Sequence, residues 1–115
     1  MKRSLTKKQI IRFKADIDNI FKAGKRYSLS CFKLFVVENN LDYSRMIVIP
    51  AKHYGNSVQR NLIRRQIKEI WRQNQEKIKQ GLDMAIVVYP GKDLAYEEKE
   101  STLLNLFVKS SALED

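Results

Sequence analysis

One stretch near the middle of the chain acquires two chemically different faces when it is placed on a helix at about 100° per residue. It runs from Gly55 to Arg72. The apolar arc consists of Ile63, Ile67, Ile70 and Trp71. The neighbouring arc, called the basic arc below, consists of Asn61, Arg64, Arg65, Lys68 and Arg72. The apolar side predicts a helix that packs against a core, and the chain around it has to supply that core.

The basic arc has an ordinary interpretation as a solvated helix face, since most charge runs are no more than that. However, a face that serves only solubility mixes charges of both signs. Glu69 is the only acid between Gly55 and Gln75, and the helical spacing predicts that it points away from the basic arc. Like charges at helical spacing repel one another, and a bound polyanion would relieve that repulsion. The sign of the face therefore favours nucleic acid.

Charge and composition agree with this interpretation. The 115 residues carry a formal charge of +9, and the sequence pI is about 9.8, which favours nucleic acid or an anionic membrane surface. No apolar run approaches the roughly 18 residues of a membrane span, and no signal peptide follows the basic N-terminus. A single cysteine rules out an internal disulfide. We expect a cytoplasmic protein that has no membrane partner.

Hydrophobic periodicity predicts the order helix, two or three strands, helix, strand, helix in one α+β domain over residues 1–115, which begins with a loose basic arm at 1–9. The predicted elements are a helix at about 14–23 ended by Gly24, a short strand at Lys25–Ser28, a strand at Cys31–Val37, a hairpin loop at Glu38–Asp42, a strand at Arg45–Pro50, the basic helix, a strand at Met84–Tyr89 and a last helix spanning Tyr96 to Val108. The basic helix is capped by Asn56 or Ser57 and can extend to Gln80, with Gly81 after it. The continuous apolar strand at Met84–Tyr89 is expected to be central, with helices packed on the sheet.

Few residues could carry catalysis. His53 and Cys31 are the only histidine and the only cysteine, so a His/Cys zinc site is excluded. A nucleophilic pair of the two is arithmetically possible, but Cys31 lies in a strand pattern and is expected to be a small core residue. His53 could act as a general acid or base, although a phosphate contact beside Lys52 is favoured. We predict no catalytic residue and no metal site, and hence a binder.

Two features favour RNA over duplex DNA. Phe32, Lys33 and Phe35 interleave aromatic and basic side chains, which can stack unpaired bases and hold phosphates. The alternative is that Phe32 and Phe35 are core residues. The basic helix also lacks the preceding helix and short turn of a helix-turn-helix motif.

Residues 52–69, KHYGNSVQRNLIRRQIKE, resemble the signature of the bacterial ribonuclease P protein component. That family shows a Ser-Lys-Lys, a Gly, a small residue and Val, then Arg-Asn-Arg, a basic pair and Arg-Glu. Outside this segment the resemblance includes Asp16-Ile17, Ile20-Phe21, Gly24, Phe35 and Tyr96-Glu97-Glu98, and it covers about residues 5–110. This chain departs from the pattern at Leu62 for the second arginine, at Ala51 and His53 for a serine and a lysine, and at Ile17 for a cleft phenylalanine.

The resemblance implies an αβββαβα fold with a left-handed crossover from the strand before the basic helix to the strand after it. It also implies a protein subunit bound to a large catalytic RNA, the ribonuclease P RNA subunit, with no further protein partner required. With Mg²⁺, held mainly by the RNA and the substrate, that RNA removes the 5′ leader from precursor tRNA.

The resemblance also implies two sets of site residues. The residues expected to contact RNA are Arg60, Asn61, Arg64, Arg65, Lys68, Arg72, Lys52 and His53. The residues expected to line a cleft for the leader are Ile17, Phe21, Lys33 and Phe35, with Lys52 beside them. Two other functions remain open from the sequence: a small metal-independent ribonuclease that uses His53 as its base, and a structural RNA-binding protein of ribosomal type.

Overall fold

A computed structural model describes residues 7–90 and 94–113 of the chain. The helices are α1 (Lys14–Ala23), α2 (Ser57–Asn74) and α3 (Tyr96–Lys109), and the strands are β1 (Lys25–Leu29), β2 (Phe32–Glu38), β3 (Arg45–Pro50) and β4 (Leu82–Val88). This confirms the expected αβββαβα order in one compact α+β domain. The predicted loose arm lies outside the described residues, apart from a short 3-10 helix at Lys7–Gln9. No helix within the two described ranges is long and apolar enough to cross a membrane.

The four strands form one mixed sheet in the order β1-β2-β4-β3. β4 is antiparallel to β2 and parallel to β3, so the prediction that it is central is confirmed. The predicted hairpin across Glu38–Asp42 is wrong, because β4 lies between β2 and β3. An apolar strand gains most from neighbours on both edges, and β4 is the most buried strand of the four. α2 connects the adjacent parallel strands β3 and β4, and the left hand of this crossover stays a prediction.

One face of the sheet carries the main core beneath α2 and α3. The strand residues on this face include Phe32, Leu34, Met46, Val48, Met84, Ile86 and Val88. The predicted apolar arc of α2 packs on them, and Trp71 is only 1% exposed. Phe32 is therefore a core residue, as its alternative interpretation had it.

The opposite face of the sheet is covered only in part, by α1. Ile20 of α1 and Ala85 of β4 are fully buried there, together with Ile11. The other apolar side chains on this face are partly buried, namely Ile17, Phe35, Val37, Ile47 and Ile49. A single short helix thus leaves part of a sheet face accessible.

Gly24 ends α1 as predicted, and the close approach of two backbone segments explains why a glycine is needed. Its N–H donates to the Ile20 carbonyl at 2.8 Å. A Cβ atom at this position would lie 2.4 Å from that carbonyl oxygen and 3.2 Å from the carbonyl oxygen of Val36. A residue with a Cβ atom would therefore clash with the last turn of α1 and crowd the backbone of β2.

α2 ends earlier than predicted, at Asn74 rather than near Gln80. The chain then turns so that Ile78 forms an antiparallel bridge with Leu113, and Lys79 N–H donates to the Ala112 carbonyl at 2.7 Å. These contacts join segments far apart in sequence and replace the helical hydrogen bonds that residues 75–80 would make. Gly81 caps no helix and adopts a left-handed φ of +84°.

Arg45 of β3 forms ion pairs with β4 and with α1. Arg45 donates from Nε and Nη2 to the Asp83 carboxylate at 2.9 and 2.6 Å. Its Nη1 also lies 3.5 Å from Oδ2 of Asp16 in α1. The hydrogen bonds to Asp83 outweigh desolvation and raise the pKa of Arg45 above its usual value. Asp83 is 3% exposed, and its Oδ1 also accepts a hydrogen bond from Asn39 Nδ2 at 2.8 Å.

Candidate nucleic-acid interface

The start of α2 is fixed by a reciprocal cap. Asn56 Oδ1 accepts from Gln59 N–H at 2.9 Å, and Gln59 Oε1 accepts from Asn56 N–H at 3.0 Å. Arg60 donates to the carbonyls of Ala51 and Pro50, at 2.7 and 3.1 Å. The guanidinium of Arg60 therefore pins the loop that joins β3 to α2. Its predicted contact with RNA stays a prediction, but the structure already gives this cation two partners.

The basic arc lies on the side of α2 that faces away from the core. Asn61 and Arg65 are exposed, and Arg64 and Lys68 are partly exposed. Arg64 Nη1 donates to Asn61 Oδ1 at 3.1 Å, which orders both side chains. Arg65 and Lys68 form no hydrogen bond or ion pair within the described ranges. The arc thus presents cations whose charge is not neutralised by acids.

Arg72, at the C-terminal end of the arc, differs from the others. Its Nε and Nη2 donate to the Glu69 carboxylate at 2.8 and 2.6 Å. The expectation that Glu69 points away from the basic arc is therefore wrong, because residues three apart on a helix are neighbours. These hydrogen bonds lower the pKa of Glu69 and raise the pKa of Arg72. Among residues 7–90 and 94–113, Arg72 is the one member of the arc that forms an ion pair.

A second surface, called the aromatic face below, lies on the α1 side of the sheet. Phe21 of α1 and Phe35 of β2 contact each other edge to face, with ring centroids 4.6 Å apart. Phe21 is 40% exposed. Ile17 packs partly buried in the same cluster, and Lys33 is partly exposed two residues from Phe35 on the same side of β2. The structure thus brings the four predicted cleft residues to one side of the sheet.

Tyr89 belongs to this surface and was missed as a site residue from the sequence. Lys33 Nζ lies 5.1 Å from the centroid of its ring, which is 38% exposed. The available signal was an aromatic residue at the very end of an otherwise continuous apolar strand. The sequence assigned it to the strand, whereas β4 ends one residue earlier, at Val88.

The loop after β3 lies at the same end of the sheet as Lys33. Ala51 N–H donates to the Val88 carbonyl at 2.7 Å, and Tyr89 N–H donates to the Cys31 carbonyl at 2.8 Å. Lys52 and His53 follow Ala51 and are exposed. They therefore lie between the aromatic face and the start of α2.

Cys31 itself is in the turn before β2, half-buried against the main core, in agreement with the prediction of a small core residue.

Comparison with known proteins decides the family. The model of a family described as ribonuclease P matches residues 5–111. The chain belongs to the ribonuclease P protein family.

Within residues 7–90 and 94–113, this family member has no group of three or more His, Cys, Asp or Glu side chains placed to hold a metal ion.

Other ribonuclease P proteins are similar along most of their length. The ribonuclease P protein component of Petrotoga mobilis is 33% identical over 96% of this chain and 98% of its own. The ribonuclease P protein component of Thermotoga maritima is 36% identical, and the aligned part covers 84% of this chain and 81% of that protein.

Solved structures show the same fold. The Thermotoga maritima ribonuclease P protein superposes with a TM-score of 0.78 at 28% identity, covering 86% of this chain and 94% of that one. The Staphylococcus aureus ribonuclease P protein superposes with a TM-score of 0.84 at 24% identity, covering 92% of this chain and 98% of that one. This likeness concerns the fold alone.

Proposed function

We propose that this protein is the protein subunit of ribonuclease P, which binds the catalytic RNA and the 5′ leader of precursor tRNA and thereby promotes endonucleolytic removal of the leader in the cytoplasm. The observation that carries the proposal is the presence of two surfaces suited to RNA on opposite sides of one sheet. The basic arc lies outside α2, and the aromatic face lies beside α1. Two surfaces allow one small domain to contact two RNA molecules at once.

The basic arc is suited to a folded RNA. Arg65 and Lys68 have no acidic partner in the part of the chain that the structure describes, and Arg64 donates a hydrogen bond to Asn61. Each phosphate neutralised by such a side chain releases condensed counterions, which favours binding at low salt. A rigid helix fixes the spacing of these contacts. We assign this surface to the RNA subunit, with Lys52 and His53 as further phosphate contacts.

The aromatic face is suited to a single strand. Unpaired bases stack on exposed rings while nearby cations hold the backbone, and this needs no particular sequence. Phe21 and Phe35 supply rings, Lys33 supplies the cation, and Ile17 supplies an apolar wall. A 5′ leader is a single strand, so this surface is assigned to it.

In this proposal the chain binds and orients RNA, and it does not carry the reacting groups. Mg²⁺ bound to the RNA subunit and the substrate would supply an activated water for phosphodiester hydrolysis. The protein's cations draw the two RNA molecules together, and its aromatic face holds the leader beside the cleavage point. This positioning lowers the entropy lost when the reactive geometry forms.

The direct test adds the protein to its cognate catalytic RNA and a precursor tRNA at low magnesium. We expect faster 5′ cleavage with the protein than without it. The doubly substituted Arg65→Ala, Lys68→Ala protein should give little stimulation, whereas Val108→Ala, a change at an exposed residue of α3, should behave like the unmodified protein. If the unmodified protein does not accelerate 5′ cleavage, the proposal is refuted.

The same preparation separates the two alternatives. A metal-independent ribonuclease would cleave RNA in EDTA without the RNA subunit, and His53→Ala would abolish that cleavage. A structural RNA-binding protein of ribosomal type would co-purify with ribosomal RNA. We expect neither result, and we expect the co-purified RNA to be the RNA subunit.

A further inference from the structure

A cavity of about 300 Å³ opens at the outer edge of β3, apart from both surfaces described above. It is called the edge cavity here. Its lining residues are Lys8, Ile10, Arg12, Phe13, Tyr43 and Arg45. Three of the six are cations and two are aromatic. Rings and cations around a concave site are the combination that binds unpaired nucleotides.

The segment that forms one wall of the edge cavity is anchored on both sides. Ile10 forms a parallel bridge with Met46, and Ile11 N–H donates to the Met46 carbonyl at 3.0 Å. Ile11 is 2% exposed. Gln9 Nε2 donates to Gln75 Oε1, at the C-terminal cap of α2, at 3.1 Å. The wall is therefore preorganised, and it lies next to the end of the helix that carries the basic arc.

Phe13 is unexpected at its position. It is the residue that caps the N-terminus of α1, where Ser, Thr, Asp or Asn would accept a hydrogen bond from the helix, and its side chain makes no such bond. Its ring is 74% exposed, so it contributes little to the core. Local stability thus favours a different residue. A ring held in solvent on an anchored segment is available for a ligand.

The cations of the edge cavity are held at its rim. Lys8 Nζ lies 4.5 Å from the centroid of the Tyr43 ring. Arg12 is exposed and has no acidic partner within the described ranges. Arg45 is fixed by Asp83 and Asp16, which leaves Lys8 and Arg12 as the cations free to meet a phosphate. Their charge favours an anionic ligand, and the exposed ring favours a planar one.

We propose that the edge cavity binds one unpaired nucleotide of RNA, with its base stacked on Phe13 and its phosphate held by Lys8 and Arg12. The inference rests on the proposed RNA-binding function, but it does not depend on the leader cleft. The nucleotide belongs either to the RNA subunit or to the leader, and both present the same chemistry. Because Gln9 contacts Gln75, RNA that follows the basic arc along α2 reaches this site at the end of the helix.

A fluorescent variant tests the stacking directly. Trp71 is the only tryptophan and is buried, so a tryptophan placed in the edge cavity by Phe13→Trp reports on the site above a constant background. The variant is titrated first with the RNA subunit alone. The assembled holoenzyme is then titrated with precursor tRNA and with mature tRNA. Quenching in the first titration identifies the RNA subunit as the source, and quenching by precursor but not mature tRNA identifies the leader. Absence of quenching in every titration overturns the proposal.

Affinity measurements on a matched series support or reject it independently. Phe13→Ala should weaken binding in the titration that shows quenching by roughly five- to hundredfold, the loss expected for one stacked base. Phe13→Tyr should retain binding, whereas Phe13→Leu, which keeps apolar bulk without an aromatic face, should not. Arg12→Ala should reduce the slope of log K against log salt by about one unit. If Phe13→Ala or Phe13→Leu binds like the unmodified protein, no base stacks there.

Control variants separate this inference from the proposed function. Arg65→Ala and Phe35→Ala report on the basic arc and the aromatic face. If they weaken RNA binding and Phe13→Ala does not, only the edge cavity assignment fails. If none of the three weakens binding, the proposed function fails as well. Because Phe13 is exposed, its variants should retain the thermal unfolding midpoint, and circular dichroism verifies this.

Discussion

Phe21 and Phe35 contact each other edge to face across two elements that do not follow one another in the chain, with an angle of 69° between their ring planes. Edge-to-face pairs are favoured because the positive edge of one ring meets the negative face of the other. Here the contact joins α1 to β2 and leaves Phe21 40% exposed. The pair stabilises the α1 docking and also presents aromatic surface.

Replacement of Phe35 should therefore weaken the binding of precursor tRNA without affecting the binding of mature tRNA. In the holoenzyme, Phe35→Ala should weaken precursor binding by about 1–3 kcal/mol, the contribution of one stacked base, and leave mature tRNA binding unchanged. Equilibrium binding of the two tRNAs measures this. Assembly with the RNA subunit should remain intact, and circular dichroism should show a folded protein. Equal losses for both tRNAs would refute the leader assignment.

Trp71 permits a prediction about the core that is independent of RNA. Trp71→Ala should lower the free energy of unfolding by about 3–5 kcal/mol, since it leaves a cavity. Its Nε1 has no hydrogen-bond partner within the described residues, so the indole N–H is buried without compensation. Trp71→Phe removes that donor and leaves a smaller cavity, so it should cost clearly less than Trp71→Ala. Urea unfolding measures both variants, and equal losses would contradict the assignment of an uncompensated N–H.

Glu69 should restrain RNA binding by occupying Arg72. The pKa of Glu69 is lowered by the hydrogen bonds from Arg72, so the pair is complete above the usual carboxylate pKa and is lost as pH falls through the lowered value. At neutral pH, Glu69→Gln should remove the carboxylate that pairs with Arg72, raise RNA affinity and steepen the salt slope by up to about one unit. Glu97→Gln, an exposed acid of α3, controls for net charge. The same gain in both variants would mean that net charge alone is responsible.

Substitutions of Arg60 and Arg65 should have different effects on stability and on RNA binding, although both residues lie on α2. Arg60 donates to two backbone carbonyls, so Arg60→Ala leaves these acceptors without their partner and should lower stability by about 1–3 kcal/mol. Arg65 has no such partner, and Arg65→Ala should leave stability unchanged while reducing the salt slope of RNA binding by about one unit. Thermal unfolding and binding at several salt concentrations measure the two effects. A stable Arg60→Ala protein with a reduced salt slope would instead support the predicted RNA contact of Arg60 and contradict its structural role.

The sequence predicted what depends on local pattern. The helix at Lys14–Ala23, the strand at Arg45–Pro50 and the buried arc of α2 all follow from the spacing of apolar residues, and each has the predicted residues. Gly24 and Asn56 were recognisable because helix caps require particular residue types. The resemblance to a family supplied the element order, which the structure confirms. The RNA contacts that it implies for the basic arc and the cleft residues stay predictions.

The errors concern contacts between distant segments. The hairpin between β2 and β3 was inferred from a short polar loop, but β4, over 40 residues later in the chain, takes the place between them. α2 stops at Asn74 because Ile78 pairs with Leu113. The edge cavity could not be predicted either, because Phe13 and Tyr43 lie far apart in sequence and meet only once Ile10 joins the edge of β3.

The position of β4 in the middle of the sheet has a consequence for synthesis of the protein. During translation, β1, β2, β3 and α2 all leave the ribosome before Leu82–Val88, the strand that joins β2 to β3. Until then β3 has no strand partner, and the apolar arc of α2 has no complete core to cover it. Contacts of long sequence separation form slowly, because loop closure has to precede them. The basic arc and the aromatic face therefore reach their final positions only late in synthesis, and a nascent chain lacking β4 exposes the cations of α2 without the sheet that positions them.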